Sequence, residues 1–389
     1  MRLKEKAADF PVLLYMLYMC SYSGQAVYST YINLYFADIG FSQSRIGLIV
    51  SVTTLFMLVA QMAWGIASDR AKTRNTVLSI LYGGCAVTIL MGYLSNAFWY
   101  LLVVISLYSI FLTAINPLLD NVCLVSSEGK RWNFGQIRTG GTVGYCITVL
   151  IIGFVINDQY QRIFVLTSAC WLLSLAFTRL IPKAPGHRSA KEKTPVSVLL
   201  KNKYLMAIIG ISLVFSLGSS FFYNFYPIYF TSIGGDSSLV GIMMFFCAVT
   251  EIPCLIFADK AIRRFGIDRA LVVGGVATAV RWGLLFLLKN PYAVIGANLL
   301  HGVGYISMSY CVITYISNNV PKDLSATGQS FYVLVNSVCS RLLFGYVGGL
   351  ASQYLGADIT MLGCGIAMAV ATVVFGIWAA RNHRAFVVT

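Results

Sequence analysis

Charge is what this sequence has least of. Asp, Glu, Lys and Arg make up 11% of its 389 residues, against 58% hydrophobic, where a soluble domain carries about 25% charged residues. So little charge argues against a water-facing globule. The net charge of +14 does not point to nucleic acid either, because no soluble stretch is long enough to bind one. The ten cysteines include no CxxC pair and fall inside apolar runs, which argues against a disulfide framework or a metal site and makes them small buried hydrophobes. No GxxxxGK[ST] loop occurs, so nucleotide-driven work is disfavoured. His301 is the one histidine within an apolar run, too few for a membrane enzyme's nucleophile-and-base cluster. No cofactor is expected.

What the chain does have is long apolar runs, near 9–37, 42–68, 75–95, 97–125, 134–157, 160–181, 204–231, 237–261, 269–289, 292–318, 324–352 and 356–380. A helix of about 20 apolar residues crosses a bilayer, so these predict twelve transmembrane helices. The basic head of MRLKEKAADFPVLLYMLYMC leads into an apolar run that continues to Phe36 with no small-residue cleavage pattern, which reads as a retained first helix. One long polar segment, KAPGHRSAKEKTPVSVLLKNK, divides the chain. The expected fold is an all-α membrane protein of two pseudo-symmetric six-helix bundles, residues 1–181 and 204–389, joined by a basic linker at 182–203.

The loop charges give the orientation. Arg2, Lys4, Lys6, Arg70, Lys72, Arg74, Lys130, Arg131, the linker cations, Lys260, Arg263, Arg264, Arg269, Lys322, Arg381 and Arg384 fall on one side, while Arg45, Arg162 and Lys289 fall on the other. By the positive-inside rule both termini and the linker are cytoplasmic, in a multi-pass protein of the cytoplasmic (inner) membrane. The halves also resemble each other. SRIGLIVSV in helix 2 matches SLVGIMMFF in helix 8, with Gly47 opposite Gly241, and FGQIR matches TGQSF at the starts of helices 5 and 11. A repeat of six helices is a transporter signature.

The same count leaves Asp120, Arg138, Glu251, Arg281, His301 and Arg341 inside the apolar runs. Asp120 and Arg138 flank the turn between helices 4 and 5, each about five residues in and roughly 7 Å deep from the same face. Opposite charges at matched depth on antiparallel helices are placed to pair, as a functional site or as a purely structural bridge. In the second half Glu251 and Arg281 lie roughly 12 and 16 Å deep, and His301 reaches a similar depth from the other face. That predicts a Glu251–Arg281–His301 cluster able to handle a proton. Arg341 is one arginine more than the interior carboxylates balance. An anionic substrate, backbone carbonyls or snorkelling to the outer interface would satisfy it.

Polar residues recur on single helix faces. Helix 1 carries Tyr22, Gln25, Ser29 and Asn33, helix 7 Ser216, Ser220, Tyr223 and Asn224, and helix 10 His301, Tyr305 and Ser309. Each stripe is either interhelical hydrogen bonding or the lining of a hydrated cavity. Asn116, at the head of the helix 4–5 hairpin, and Asn336 in helix 11 join the candidates. Gly135, Gly140, Gly141 and Gly144 in helix 5, and Gly345, Gly348 and Gly349 in helix 11, predict close helix packing. Pro117, Pro227 and Pro253 predict kinks.

The loop GIASDRAKTRN, with Gly65, Asp69, Arg70 and Arg74, resembles the loop signature of the major facilitator superfamily. The resemblance implies a tight loop between close helices and a state-dependent latch. Within the superfamily the chain resembles the lactose permease-like oligosaccharide/proton symporters and the related phenylpropionate-permease group over nearly its whole length. In the former, a helix 4 acid and an arginine eighteen residues later bind sugar hydroxyls and an aromatic seven residues further on stacks on the ring. The matching positions are Asp120, Arg138 and Tyr145. Glu251, Arg281 and His301 match that group's helix 8, 9 and 10 residues. Gly304 stands where its proton-carrying glutamate would be, and Tyr223–Asn224 and Asn336–Ser337 replace its charged residues of helices 7 and 11.

The expected function is secondary active transport of a small polar solute by alternating access, as proton-coupled symport of a sugar or glycoside. An acid and a guanidinium for hydroxyls, with a ring to stack on, suit that substrate. Substrate binding is assigned to Asp120, Arg138, Tyr145, Tyr22, Gln25, Asn116, Tyr223, Asn224, His301 and Asn336. Proton coupling is assigned to Glu251, Arg281, His301 and Asp120. The alternatives are proton-coupled uptake of an aromatic carboxylate, drug efflux and a non-transporting sensor. The expected partners are the solute, protons and the lipid bilayer, and the superfamily resemblance implies a monomer.

Overall fold

The computed structural model describes residues 11–127, 132, 134–181, 197–320 and 322–386. Lys130, Arg131, the N-terminal cations and most of the expected linker lie outside these residues. By internal contacts the chain forms two compact units: Met1–Phe41 with Val52–Ala190, and Ser42–Ser51 with Lys191–Thr389.

The first unit is built on α1 (Val12–Asp38), α2 (Gln43–Arg70, whose first turns to Ser51 belong to the second unit), α3 (Arg74–Met91), α4 (Phe98–Leu112), α5 (Ile115–Ser127), α6 (Phe134–Ile156) and α7 (Arg162–Leu180). The second, beyond the single turn α8 (Ser197–Leu200), contains α9 (Lys203–Ser232), α10 (Ser237–Leu287), α11 (Pro291–Ala297), α12 (His301–Asn319), α13 (Lys322–Val333), α14 (Ser340–Leu355) and α15 (Ala357–Phe386).

Among the described residues, ten helices are long and apolar enough to cross a membrane. The expected count of twelve differs from this at two places. The first is α1, whose Tyr, Ser, Thr, Gln and Asn residues dilute its hydropathy. The second is α10, which runs on for 51 residues but has a non-helical Gly266 at φ 81° and ψ 162°. At about 1.5 Å per residue, Cys247 and Arg281 would be some 50 Å apart on a straight helix. Arg281 Nη2 instead lies 3.9 Å from Cys247 Sγ, so the chain doubles back at Gly266 and α10 is two antiparallel limbs.

The prolines behave differently from one another. Helix is lost at Thr113–Ala114, between α4 and α5, where the ring of Pro117 meets the carbonyl one turn earlier. At Pro227 and Pro253 the helix is not interrupted, and α9 and α10 continue through them.

In the first unit α1 packs along α6 and α7, and α7 along α3. The glycines of α6 make the first of these contacts possible. A Cβ on Gly140 would come within 2.7 Å of Tyr15 O, on Gly141 within 2.8 Å of the Tyr22 ring, and on Gly144 within 2.5 Å of Met19 O. Where lipid is as apolar as the protein, such approach supplies the dispersion contacts that hold helices together.

In the second unit both limbs of α10 pack on α12, and α15 packs on α9 and α10. A Cβ on Gly349 would come within 2.5 Å of Gln43 O and 3.2 Å of Gly47 Cα. The helices that open the two sequence halves end alike, α1 at Ile39 and Gly40 (φ +87°) and α9 at Ile233 and Gly234 (φ +97°). A left-handed residue after a helix end favours glycine, and this shared Ile-Gly stop is a trace of the repeat.

Candidate functional site

In the first unit the site grows from α1, α5 and α6. Asp120 lies near the middle of α5 and Arg138 one turn into α6, and their side chains meet at 3.7 Å (Nε to Oδ1) while keeping 30% and 47% exposure. The expected pair therefore forms with an open side. Two tyrosines of α1 hold it. Tyr18 Oη donates to Asp120 Oδ1 at 2.7 Å, and Arg138 Nη2 donates to Tyr22 Oη at 3.3 Å. Tyr22 lies against Gly141, so the small residue beside Arg138 is what lets α1 deliver its hydroxyl. Two turns along α1, Gln25 and Asn116 exchange amide hydrogen bonds of 2.8 and 2.9 Å. Tyr145, half-buried, is seven residues beyond Arg138 on the same face of α6. Sequence reasoning missed Tyr18, although it stands one turn before Tyr22 on the same stripe.

The second unit brings together Glu251 of α10, His301 and Tyr223 of α9. His301 Nε2 lies 3.2 Å from Glu251 Oε1 and 3.0 Å from Tyr223 Oη. The register is set one residue along, where Gly302 N donates to Thr250 Oγ1 at 3.2 Å and a Cβ on Gly302 would collide with Thr250 O. His301 is 2% exposed, its ring stacks with Tyr305 at 5.4 Å between centroids, and its Nδ1 has no hydrogen-bond partner. Glu251 keeps 31% side-chain exposure. A buried imidazole thus touches a carboxylate that reaches more open space.

The expected Glu251–Arg281 pair does not form. Among the described residues no carboxylate lies within 4.0 Å of Arg281. Arg281 Nε and Nη2 donate instead to Asn298 Oδ1 at 2.9 and 2.6 Å, and its guanidinium sits 4.2 Å over the Phe222 ring. Asn298 is fully buried, and its amide is fixed by donation from Nδ2 to Val294 O at 2.8 Å. A neutral acceptor carries no charge signal to single it out, though Asn298 precedes His301 by three residues. Arg341 is exposed.

The remaining polar candidates have local partners. Asn224 Nδ2 donates to Ser220 O at 2.7 Å. Asn336 lies in a π-helical turn, Leu334–Cys339, and accepts from Ser216 Oγ at 3.3 Å. Such turns interrupt the regular ladder and are frequent at functional sites.

The loop motif is only partly tied down. A Cβ on Gly65 would meet nothing within 4 Å, so the close approach expected there is absent. Asp69 and Arg70 are exposed, and among the described residues neither forms an ion pair. Arg74 is buried, and its Nη1 donates to Asn121 Oδ1 at 3.1 Å, next to Asp120.

Known proteins resemble this chain over most of its length. A family model described as "MFS_1 like family" matches residues 12–362. An uncharacterized transporter, YwbF, of Bacillus subtilis is 22% identical over 81% of this chain and 79% of its own. A maltose permease of Geobacillus stearothermophilus is 24% identical over 87% and 86%. The crystal structure of the nucleoside transporter NupG (D323A mutant) superposes with a TM-score of 0.85 at 16% identity, covering 94% of this chain and 98% of that one.

Proposed function

Because the chain belongs to the MFS_1 like family, and so is a multi-pass membrane transporter rather than an enzyme, we propose that it is a secondary active symporter carrying a sugar or glycoside with a proton by alternating access. The observation that carries this reading is the half-open Asp120–Arg138 pair held by Tyr18 and Tyr22. A carboxylate and a guanidinium at one opening present acceptors and donors to a polyol, and each charge-assisted bond is stronger than a neutral one. Tyr145 on the same face offers a ring for a pyranose to stack on. A relative named maltose permease supports the substrate class.

Coupling is assigned to Glu251 with His301. When Glu251 is ionised, His301 Nε2 carries the proton and donates to it. When Glu251 binds a proton on Oε2, Oε1 still accepts from Nε2, so the imidazole keeps its own proton and only the charge of the carboxyl changes. Tyr223 reads the same nitrogen and so senses the state of Glu251. A proton carried here replaces the helix 10 glutamate absent at Gly304. Arg281 keeps a fixed positive charge near this site, bound to Asn298. The motif around Arg74 acts as the latch, with both termini and the linker cytoplasmic and a monomer as the working unit. An aromatic carboxylate is the alternative substrate: Arg281 is too deeply buried to meet it, but Arg341 is exposed.

The test is reconstitution into vesicles enclosing a pH-sensitive dye, with sugars and aromatic acids supplied separately. Sugar-dependent acidification, lost in Arg138→Lys, is the expected result. Acidification by aromatic acids alone overturns the substrate class, and silence with both overturns the coupling.

A further inference from the structure

The two limbs of α10 and helix α12 touch at small residues. A Cβ on Gly302 would meet Thr250 O, one on Gly304 would meet Thr278 Oγ1, and one on Gly274 would meet Ser307 Cβ, each at under 2.4 Å. Toward the turn at Gly266 a cavity of about 400 Å³ opens between these helices. That volume lies in the range of ligand-sized cavities, roughly 300–1,000 Å³. Its wall is almost wholly apolar, with Phe257, Phe265, Val273 and Ile306 prominent, and Arg269 stands among them. Phe257, Phe265 and Val273 are 61%, 52% and 58% exposed, so the opening is on the apolar outer face of the unit. A polar solute would find almost nothing to bond there.

The residues around that turn are strongly charged. Lys260, Arg263, Arg264 and Arg269 are all exposed. The nearby carboxylates are Asp259 and Asp268, which accept the hydroxyls of Tyr310 at 2.8 Å and Tyr204 at 2.6 Å. An uncharged hydrocarbon would fill the cavity and leave these cations unmatched, whereas a free anion would match them and leave the cavity empty. An amphiphile satisfies both parts.

We propose that the cavity between the limbs of α10 and helix α12 holds an acyl chain of an anionic phospholipid whose phosphate is bound by Arg269. The chain lies along Phe257, Val273 and Ile306, and the arginine stem lines the mouth while its head reaches the phosphate plane. Basic pockets between transmembrane helices recognise anionic headgroups in this way. The lipid then acts as a wedge between α12 and the limbs of α10 at the end near Gly266.

Native mass spectrometry of the full-length protein, released from micelles with equal phosphatidylglycerol and phosphatidylcholine of the same chain length, tests this. The wild type is expected to retain phosphatidylglycerol about fivefold or more over phosphatidylcholine, the preference that one basic residue confers at an anionic surface. Arg269→Gln should abolish that preference and Arg269→Lys should keep it. Ala261→Phe, which fills the cavity from its wall, should reduce retention of both lipids. Soluble glycerol phosphate in excess should displace neither. Equal retention of the two lipids by the wild type overturns the proposal without recourse to any variant. So does a preference that survives Arg269→Gln, undiminished retention of both lipids by Ala261→Phe, or displacement by glycerol phosphate, which would place a bare anion on surface cations. Each variant is first checked for a wild-type elution profile and melting temperature.

Discussion

Arg281 gives the protons of both Nε and Nη2 to one oxygen, Asn298 Oδ1, at 2.9 and 2.6 Å. A guanidinium that is 2% exposed is therefore held by a neutral amide and the face of Phe222. Its charge remains uncancelled by any carboxylate within 4.0 Å among the described residues. In a low-dielectric interior an uncancelled charge acts over a longer distance than a paired one.

That arrangement predicts an asymmetry between single and double variants. Asn298→Ala removes the acceptor and leaves the buried cation, at a cost of about 2–3 kcal/mol in stability, the scale for hydrogen bonds to charged groups. Arg281→Met combined with Asn298→Leu replaces both by apolar groups and should recover most of it. Thermal unfolding in detergent reads the stabilities and vesicle uptake reads the function. A double variant that is stable and still accumulates substrate would remove Arg281 from the coupling machinery.

Asp236 caps the N-terminus of α10, outside the membrane spans. Its carboxylate accepts from Leu239 N at 2.7 Å and from Ser238 Oγ at 2.6 Å. Partial burial alone would raise its pKa, but the Ser238 hydroxyl and the backbone N–H groups outweigh that and hold it below the usual carboxylate value. A folded-state pKa below the unfolded one means that the stabilisation is present above the unfolded value, about 3.9, and disappears as pH falls through the folded one. Asp236→Ala should cost about 1 kcal/mol at neutral pH. The difference from wild type should close in melts below about pH 3, and a gap unchanged at that acidity would contradict the cap.

Arg74 is the member of the loop motif that the fold ties down, through Asn121 at 3.1 Å. Asn121 neighbours Asp120 on α5, so the loop is anchored one residue from the proposed sugar site. Asn121→Ala should alter the exchange of internal for external substrate by several-fold while changing substrate affinity little. Arg70→Gln, whose side chain is exposed, should do less. Affinity measured by substrate protection and exchange measured by isotope counterflow separate the two, and the reverse ranking would move the latch to Arg70.

The parts legible in the sequence are those written in charge and in run length. Apolar runs mark helix ends to within a few residues, as at Phe134 and Ile156, because a bilayer sets the length. The Asp120–Arg138 pair was legible because two rare charges at matched depth have few other partners. Neutral partners were not. Asn298 and Asn121 differ from many other amides only in where the fold puts them, and Tyr18 is one of many tyrosines. Glu251 and Arg281 misled for a related reason. Depth along two helices fixes height in the membrane but not rotation about each axis, so two charges at one level need not face each other. Pro227 and Pro253 show the same limit, since a proline removes one hydrogen bond and the neighbouring helices decide whether the helix yields.

Tyr18 offers a clean test of the sugar site because it touches Asp120 without carrying charge. Its hydroxyl donates to Oδ1 at 2.7 Å, which aims the carboxylate and leaves Oδ2 for a ligand. Tyr18→Phe keeps the ring and loses a bond of about 1.5–3 kcal/mol, so substrate affinity should fall roughly 10- to 100-fold with wild-type folding. Unchanged binding by isothermal calorimetry would mean that Asp120 does not meet the substrate.

The Glu251–His301 contact predicts a split between two transport modes. Glu251→Gln keeps a side chain that hydrogen-bonds to Nε2 but cannot gain or lose a proton in the working range. Accumulation against a gradient needs that proton and should fall to background, whereas equilibrium exchange needs only the conformational change and should persist. Tyr223→Phe removes the second group at Nε2, 3.0 Å away, and should slow both modes by severalfold while shifting the pH dependence of accumulation, because the imidazole then answers to Glu251 alone. Uptake into vesicles at several external pH values, with and without an imposed gradient, resolves these outcomes. If Glu251→Gln accumulates substrate as the wild type does, the coupling proton is carried elsewhere, and Asp120 is the next carboxylate to test.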